Sequence, residues 1–553
     1  MNLAGRFLPC TEFQSYEDFR DHFRLVAPED FNFAYDVVDV YAREAPGKRA
    51  LVWCDDHGHH LSLTFADLSD LSQRAARALA ALGIRKGDKV LIILKGHYHF
   101  WTILLALHRL GAVAVPASHL LSCRDLVYRV ESAAVKMVIC RDDGQLIPEL
   151  DQAQAEVSHH FALKVSVGGE VSGWHAFDQL LAAAEPAFPR PTGEAAVRAA
   201  DLALLYFSSG TSGLPKMVAL SQAYPLGHIL TAGYWQCVQD EGLHYTLADT
   251  GWAKCLWGKI YGQWIWGSAV LVYDFDQFDV ERMLRHLADQ GVTTFCAPPT
   301  VYRLMVKKDL SRFDLSRLRH AVTAGEPLHP ATYERFFQLT GLRLREGYGQ
   351  TELVITIATW PWLEPKPGSV GRPAPLFDLR LLRLDGEECS EGEEGEICIR
   401  ATLGAGPPGM FLGYHHDPRR TREVWYDDLY HTGDIARRDA DGYFWFAGRG
   451  DDIIKTAGYK VGPYEVESLL LEHPAVAECA VTGVPDPVRG AAVKASIVLA
   501  PGVAPTEELK SELRHQVKQA TAAYKVPRVI DFVDKLPKTI SGKVNRAAIR
   551  GGG

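Results

Sequence analysis

The sequence predicts an α/β protein in two unequal parts. A large N-terminal domain, residues 1–449, holds doubly wound α/β subdomains plus a strand-rich region. A small α+β domain, residues 450–553, follows it. Three observations predict this. Apolar strands alternate with amphipathic helices along the first part, which is the signature of parallel βαβ units. A Gly-rich strand-and-turn stretch, "GEEGEICIRATLGAGPPGMFLGY", interrupts that alternation. The last segment, about 100 residues long, carries its own set of strands and helices and is large enough to fold as a unit.

The elements follow in order. In "LTFADLSDLSQRAARALAALG", Leu68, Leu71, Ala75, Leu79 and Leu82 share one helical face, with Thr64 placed to cap the start and Gly83 the end. "KVLIIL" is a buried strand, "FWTILLALHRLG" a helix and "AVAVP" the next strand. The pattern recurs at "DLVYRVESAAVKMVIC" and at "VERMLRHLADQGVTTFCAPP", so doubly wound α/β continues to about residue 380. The second unit opens near "GRGDDIIK". It is expected to run helix 463–472, strands 475–484 and 491–499, helix 506–520 and strand 526–533, with a frayed terminal "GGG".

Composition narrows the function. The chain has 553 residues, 47% hydrophobic and 23% charged, so it can bury large cores. A net charge of −9 argues against a general nucleic-acid or membrane-surface binder. The ten cysteines form no CxxC pair, so neither a zinc site nor a redox pair is expected, and a reducing cytoplasm fits. The first residues lack a cationic start followed by an apolar core, and no apolar run suggests a membrane span.

"LLYFSSGTSGLPKMVALS" is the first chemical signal. An apolar strand leads into Ser208, Ser209, Gly210, Thr211, Ser212 and Gly213, closed by Pro215 and Lys216. The glycines let backbone N–H groups approach an anion; the hydroxyls add donors and Lys216 adds charge. The order suggests a loop that wraps phosphate, with a flexible surface loop as the alternative; it is not a Walker A loop, because Pro215 precedes the lysine and Met217 follows it. A P-loop phosphotransferase is thereby excluded. The literal GxGxxG at Gly404–Gly409 carries Pro407 and Pro408 and reads as a turn. "HGHH" (His57–His60) lies between two strand-like runs and reads as an exposed hairpin turn, not a metal cluster.

Further signals keep a fixed order: "TAGEP" (Thr323–Pro327), "EGYGQTE" (Glu346–Glu352), "YHTGD" (Tyr430–Asp434), "GRGDDIIKTAGYKVGPYEVE" (Gly448–Glu467) and "LPKTISGKVNR" (Leu536–Arg546). Each alone could be a turn; the set is specific. In that set the chain resembles the adenylate-forming (ANL) superfamily of AMP-binding acyl-CoA synthetases, from about Phe31 to Arg550. "ADTGWAKCLWGKIYGQW", "PYEVE", "PDPVRG" and "AAYKVPR" are most similar to the medium-chain acyl-CoA synthetases.

The resemblance implies an ATP-dependent acid–CoA ligase. A carboxylic acid and ATP would give an acyl-adenylate and pyrophosphate, and CoA would then displace AMP. ATP, Mg²⁺ and coenzyme A are the implied cofactors and substrates. It implies that residues 208–216 hold the β- and γ-phosphates, that Glu352 holds Mg²⁺, a hard cation suited to a carboxylate, and that Thr351 contacts the α-phosphate. Gly325, Glu326 and Pro327, with Glu346, Gly347, Tyr348, Gly349 and Gln350, would belong to the AMP site. Asp434 would accept from the ribose hydroxyls, assisted by Arg449. Lys543 would bring its charge to carboxylate and α-phosphate. Asp451 matches a hinge, making the C-terminal domain mobile and letting it exchange Lys543 for the CoA side: Gly458, Tyr459, Lys460, Arg489, Tyr524 and Lys525. Many relatives carry arginine where this chain has Lys460, which weakens any bidentate phosphate contact there. Gln222 stands near a position where many carry histidine.

At the matched location, Trp252, Lys254 and Trp257, with Cys296 and Ala297, would line the acyl pocket. The bulky aromatics favour a short, medium-chain, branched or aryl acid, although most tryptophans near Trp257 are expected to be core packing. Two alternatives stay open: a stand-alone adenylation enzyme that loads an acyl carrier protein, and a scaffold that binds nucleotide without turnover. A homo-oligomer is compatible with the sequence. So is an acetyltransferase and deacetylase pair acting on Lys543, since removing that charge would silence adenylation.

Overall fold

A computed structural model describes residues 1–158, 161, 163–208, 214–326, 328–383, 385–456, 459–487, 489–539 and 543–551. Two largely parallel sheets, one antiparallel sheet and a small C-terminal unit build the molecule.

The seven-stranded sheet runs in space as His175–Ala176, Leu163–Val167, Val135–Arg141, Lys89–Ile93, Val113–Pro116, Leu202–Ser208 and Lys216–Ser221. Every pair is parallel except the last. The nine-stranded sheet is parallel through Leu243–Thr246, Thr294–Ala297, His320–Ala324 and Leu344–Tyr348, with antiparallel edges. Helices cover these sheets, as parallel strands buried on both faces require.

The expected elements are present. The helix after Thr64 spans Phe65–Ala81, and Thr64 and Asp67 close a reciprocal capping box. The helix His99–Leu110 is buried on every face and ends at Gly111 in the left-handed conformation. The His57–His60 stretch forms an exposed turn between the antiparallel strands Arg49–Asp55 and His60–Thr64. Residues 404–409 form turns.

An antiparallel sheet of Asp378–Leu382, Glu394–Arg400, Trp425–Tyr426, Leu429–Arg438 and Phe444–Arg449 follows. Beyond it a hairpin, Ile454–Thr456 with Tyr459–Val461, leads to the helix Pro463–Leu471 and a three-stranded sheet of Val476–Asp486, Gly490–Leu499 and Val529–Phe532. The helix Glu507–Ala520 packs into the same core. The chain then adds an unpredicted helix, Arg546–Gly551, where a frayed end was expected to begin; residues 552 and 553 lie outside the described residues. No described helix is long and apolar enough to cross a membrane.

Candidate active site

The carboxyl ends of four parallel strands set the site. The segments after Leu243–Thr246, Thr294–Ala297, His320–Ala324 and Leu344–Tyr348 emerge on one edge of the nine-stranded sheet, where open α/β sheets bind ligands.

The loop expected to hold phosphate joins antiparallel neighbours: Ser208 pairs with Lys216 across its mouth. It therefore has no helix N-terminus behind it. Any anion there must be held by loop N–H groups, hydroxyls and Lys216, which explains why its sequence departs from Walker A. Ser209, Gly210, Thr211, Ser212 and Gly213 lie outside the described residues.

Lys216 faces a residue that the sequence reading missed. Its Nζ donates to the Tyr414 hydroxyl at 3.3 Å, and the Tyr414 hydroxyl donates to Glu352 Oε1 at 2.9 Å. Glu352 follows directly on Thr351, in the turn after Leu344–Tyr348. It is buried, and its Oε2 takes no hydrogen bond among the described residues. Burial lowers the Lys216 ammonium pKa, and Glu352 opposes that shift. A hard cation fits here, because one carboxylate oxygen is fixed by Tyr414 while the other stays available.

Asp434 is the second focus. It is 4% exposed and accepts from the Tyr348 hydroxyl at 2.6 Å, from Gln350 Nε2 and from Arg449 Nη1 at 3.2 Å. Gln350 is itself oriented: Tyr430 donates to its Oε1 at 2.7 Å, and its Nε2 also reaches the Thr432 carbonyl. "GYGQ", "YHTGD" and the arginine of "GRGDD" thus converge on one carboxylate. Burial works against the Arg449 charge, but Asp434 and Asp451 outweigh it and hold the guanidinium protonated.

The expected adenine wall is partly structural. Glu346 is buried and its Oε1 accepts from Leu328 N at 3.0 Å, so its carboxyl pins the segment after Glu326. Burial pushes that carboxyl up to about 8. Gly325 adopts φ of +104°, a conformation that favours glycine, and Thr300 donates to Glu326 Oε2 at 2.8 Å. Pro327 lies outside the described residues.

The acyl-pocket residues divide. Lys254 Nζ donates to the Ala324 carbonyl at 2.7 Å, at the head of the adenine segment. Burial pushes its ammonium down; Cys296 and Glu326 oppose that, and the Lys543 charge adds to it. Trp257 and Cys296 are buried in the same core, and a Cβ at Gly349 would run into the Trp257 ring, so this glycine lets Trp257 pack against the backbone beside Tyr348 and Gln350. Trp252 is half-buried at the start of that segment. Ala297 is a correction: its side chain packs in the core on the opposite face, with Phe295 and Tyr302. Strand neighbours alternate faces, so Cys296 and Ala297 cannot both point into one pocket. Trp264 donates to Ala50 O from full burial and is core. Gln222 is core as well, bonded to His108 Nδ1 at 2.8 Å.

The C-terminal unit, which carries Lys543, packs against this edge. Arg546 grips buried Glu467 at 2.6 and 2.8 Å, Arg550 Nη2 reaches Asp452 at 2.9 Å, and Thr539 N donates to the Lys543 carbonyl. His329 touches the Ser468 carbonyl at 3.1 Å across the seam. Asp451 lies between the strands Phe444–Arg449 and Ile454–Thr456, 3.6 Å from Arg449.

Of the expected CoA contacts, Tyr459 and Tyr524 stack at 4.2 Å and 10°. Lys525 pairs with Glu465 at 2.6 Å, and Arg489 is half-buried with its N–H on Asp486. Gly458 and the side chain of Lys460 lie outside the described residues.

Comparison with known proteins agrees with this geometry. The AMP-binding enzyme family matches residues 38–415, and the AMP-binding enzyme C-terminal domain matches residues 465–543. The mitochondrial acyl-coenzyme A synthetase ACSM3 of Mus musculus is 37% identical over 548 residues, covering 97% of this chain and 93% of the relative. The 4-hydroxybutyrate–CoA ligase 1 of Metallosphaera sedula is 40% identical over 525 residues, covering 94% and 90%. Among solved structures, the anthranilate CoA ligase AuaEII in complex with anthranoyl-AMP superposes with a TM-score of 0.86 at 29% identity, covering 95% and 98%. A benzoate CoA ligase from Burkholderia xenovorans LB400 gives 0.81 at 28%, covering 94% and 100%.

Proposed function

The chain belongs to the AMP-binding enzyme family and is an ATP-dependent acid–CoA ligase; on that premise we propose that it activates a short, medium-chain, branched or aryl acid, and that Lys543 drives the adenylation step. A carboxylate is a poor acylating agent because oxide would have to leave. Its oxygen attacks the α-phosphorus of ATP, the bond to the β-phosphate breaks, and pyrophosphate departs. The CoA sulfur then attacks the acyl carbon, and AMP leaves with the bonding pair.

The first step joins two anions, so fixed positive charge matters most. What supports the proposal is that the C-terminal unit, which carries Lys543, packs on the edge that holds Lys254 and the segment after His320–Ala324, where His329 meets the Ser468 carbonyl at 3.1 Å. Lys543, carried by the C-terminal unit, would then stand where acid and nucleotide meet. One charge at about 4 Å contributes up to ~4 kcal/mol at an effective dielectric near 20. Asp434 holds the ribose, and Lys216 and the loop hold the outer phosphates. Glu352 would hold Mg²⁺, whose charge offsets that of the phosphates.

The acid class follows from the wall. Trp257 closes the pocket against Gly349, which favours flat or compact acyl groups over long chains. The relatives that act on 4-hydroxybutyrate and the structural neighbours that act on anthranilate and benzoate are in keeping with a compact acid. Rotation about Asp451 would replace Lys543 by the Tyr459–Tyr524 pair for thioester formation. Hydroxamate trapping of acyl-adenylate, across straight, branched and aryl acids from acetate to dodecanoate, tests the reading. A compact acid should dominate; a profile peaking at dodecanoate contradicts it.

A further inference from the structure

Three residues outside this site meet on the antiparallel sheet. Cys398, on Glu394–Arg400, lies directly opposite His431, on Leu429–Arg438. Glu396 stands two residues before Cys398 and so projects from the same face. Their ligand atoms all lie within 4.8 Å of one another, the one such group among the described residues.

The centre of the cluster is His431 Nδ1. It is 3.0 Å from Glu396 Oε2, 3.4 Å from Cys398 Sγ and 3.2 Å from the Tyr426 hydroxyl. One ring nitrogen has a single proton or a single lone pair, so hydrogen bonding satisfies only one of these three contacts. The ring is held in place by Tyr426, which stacks on it at 3.8 Å and 9°. Glu396 Oε1 is already committed to Gly433 N at 2.8 Å, which leaves Oε2 turned to the cluster. His431 Nε2 is buried and has no protein partner.

We propose that Glu396, Cys398 and His431 form a binding site for a thiophilic divalent cation of the Zn²⁺ type, with the Tyr426 hydroxyl or a water as fourth ligand. Zinc bonds of ~2.0–2.3 Å in a tetrahedron place ligand atoms roughly 3.4–3.6 Å apart. The two separations measured at Nδ1, 3.0 and 3.4 Å, need only a few tenths of an ångström of adjustment. A thiolate, an imidazole and one carboxylate select a borderline-soft ion and not Mg²⁺. On binding, the Cys398 thiol proton passes to solvent and a metal–sulfur bond forms; no oxidant is needed. The site adjoins the Asp434 cluster. Glu396 holds Gly433, and the carbonyl of the neighbouring Thr432 takes both Gln350 and Arg449. Occupancy would therefore brace the strand segment that presents Asp434.

Cobalt(II) titration of the full-length protein tests this. A thiolate-to-cobalt charge-transfer band should saturate at one equivalent and be displaced by Zn²⁺. Cys398→Ser, folded by circular dichroism, should abolish the band. Should that variant fail to fold, Glu396→Gln must weaken cobalt binding by about tenfold or more. Absence of the band, its persistence in Cys398→Ser, or unchanged affinity in Glu396→Gln would overturn the assignment.

Discussion

The Tyr414 hydroxyl stands between Lys216 Nζ, at 3.3 Å, and Glu352 Oε1, at 2.9 Å, and so ties the loop proposed to hold phosphate to the carboxylate proposed to hold the metal. Tyr414→Phe removes both bonds without removing the ring that Lys216 also overlies. A hydrogen bond to a charged group contributes about 1.5–3 kcal/mol. Adenylation measured by pyrophosphate release should fall about tenfold or more, with the unfolding midpoint little changed. An unaltered rate would remove Tyr414 from the phosphate machinery.

Asp434 draws Tyr348, Gln350 and Arg449 to one buried carboxylate. Asp434→Asn keeps the shape, loses the charge and leaves Arg449 short of its partner. The KM for ATP should rise about ten- to a hundredfold, by the worth of a charged hydrogen bond, with a smaller effect on the KM for the acid. Equal changes in both constants would argue against a nucleotide role.

The half-buried Lys254 ammonium donates to the Ala324 carbonyl. Lys254→Met keeps most of the volume and deletes the charge. The order of preference among acids should shift by about fourfold per added methylene toward apolar, longer chains, since burying a methylene contributes ≈ 0.8 kcal/mol. The KM for ATP should hold. An unchanged acid profile would place Lys254 outside the pocket.

Glu346 gives a pH signature. Its folded-state pKa, raised by burial to about 8 from 4.5, favours the protonated form in the fold. Its contribution is therefore fully present below about pH 4.5 and is lost progressively as pH rises through about 8. Glu346→Gln retains the acceptor for Leu328 and has nothing to ionise. The difference in unfolding midpoint between variant and wild type should be small near pH 4.5 and should grow in favour of the variant toward pH 8. A difference that is constant with pH would show that this carboxyl titrates normally.

Much of this was legible in the sequence, because the nucleotide motifs are short and local. "EGYGQTE" sits at the end of one strand and "YHTGD" within another, so motif and geometry coincide. Tyr414 was not legible: it reaches Glu352 across 62 residues from a Gly-rich stretch with no periodicity to read. Arg546, which anchors the Lys543 segment to Glu467 from 79 residues away, was hidden in the same way. Ala297 failed for a different reason. It was carried over with its neighbour Cys296, whereas a strand turns adjacent side chains to opposite faces. The metal cluster joins residues of two strands, 33 residues apart at Cys398 and His431, and leaves no contiguous ligand spacing to recognise.

The central claim is that one lysine, brought by the C-terminal unit, makes the joining of two anions feasible while taking no part in the thiol step. Single-turnover assay of both half-reactions in Lys543→Ala tests it most directly. Adenylation should fall by about a thousandfold, the equivalent of ~4 kcal/mol, while thioester formation from supplied acyl-adenylate and CoA stays within about threefold of wild type, a difference of well under 1 kcal/mol. Equal losses in the two half-reactions, or adenylation at the wild-type rate, would contradict the account.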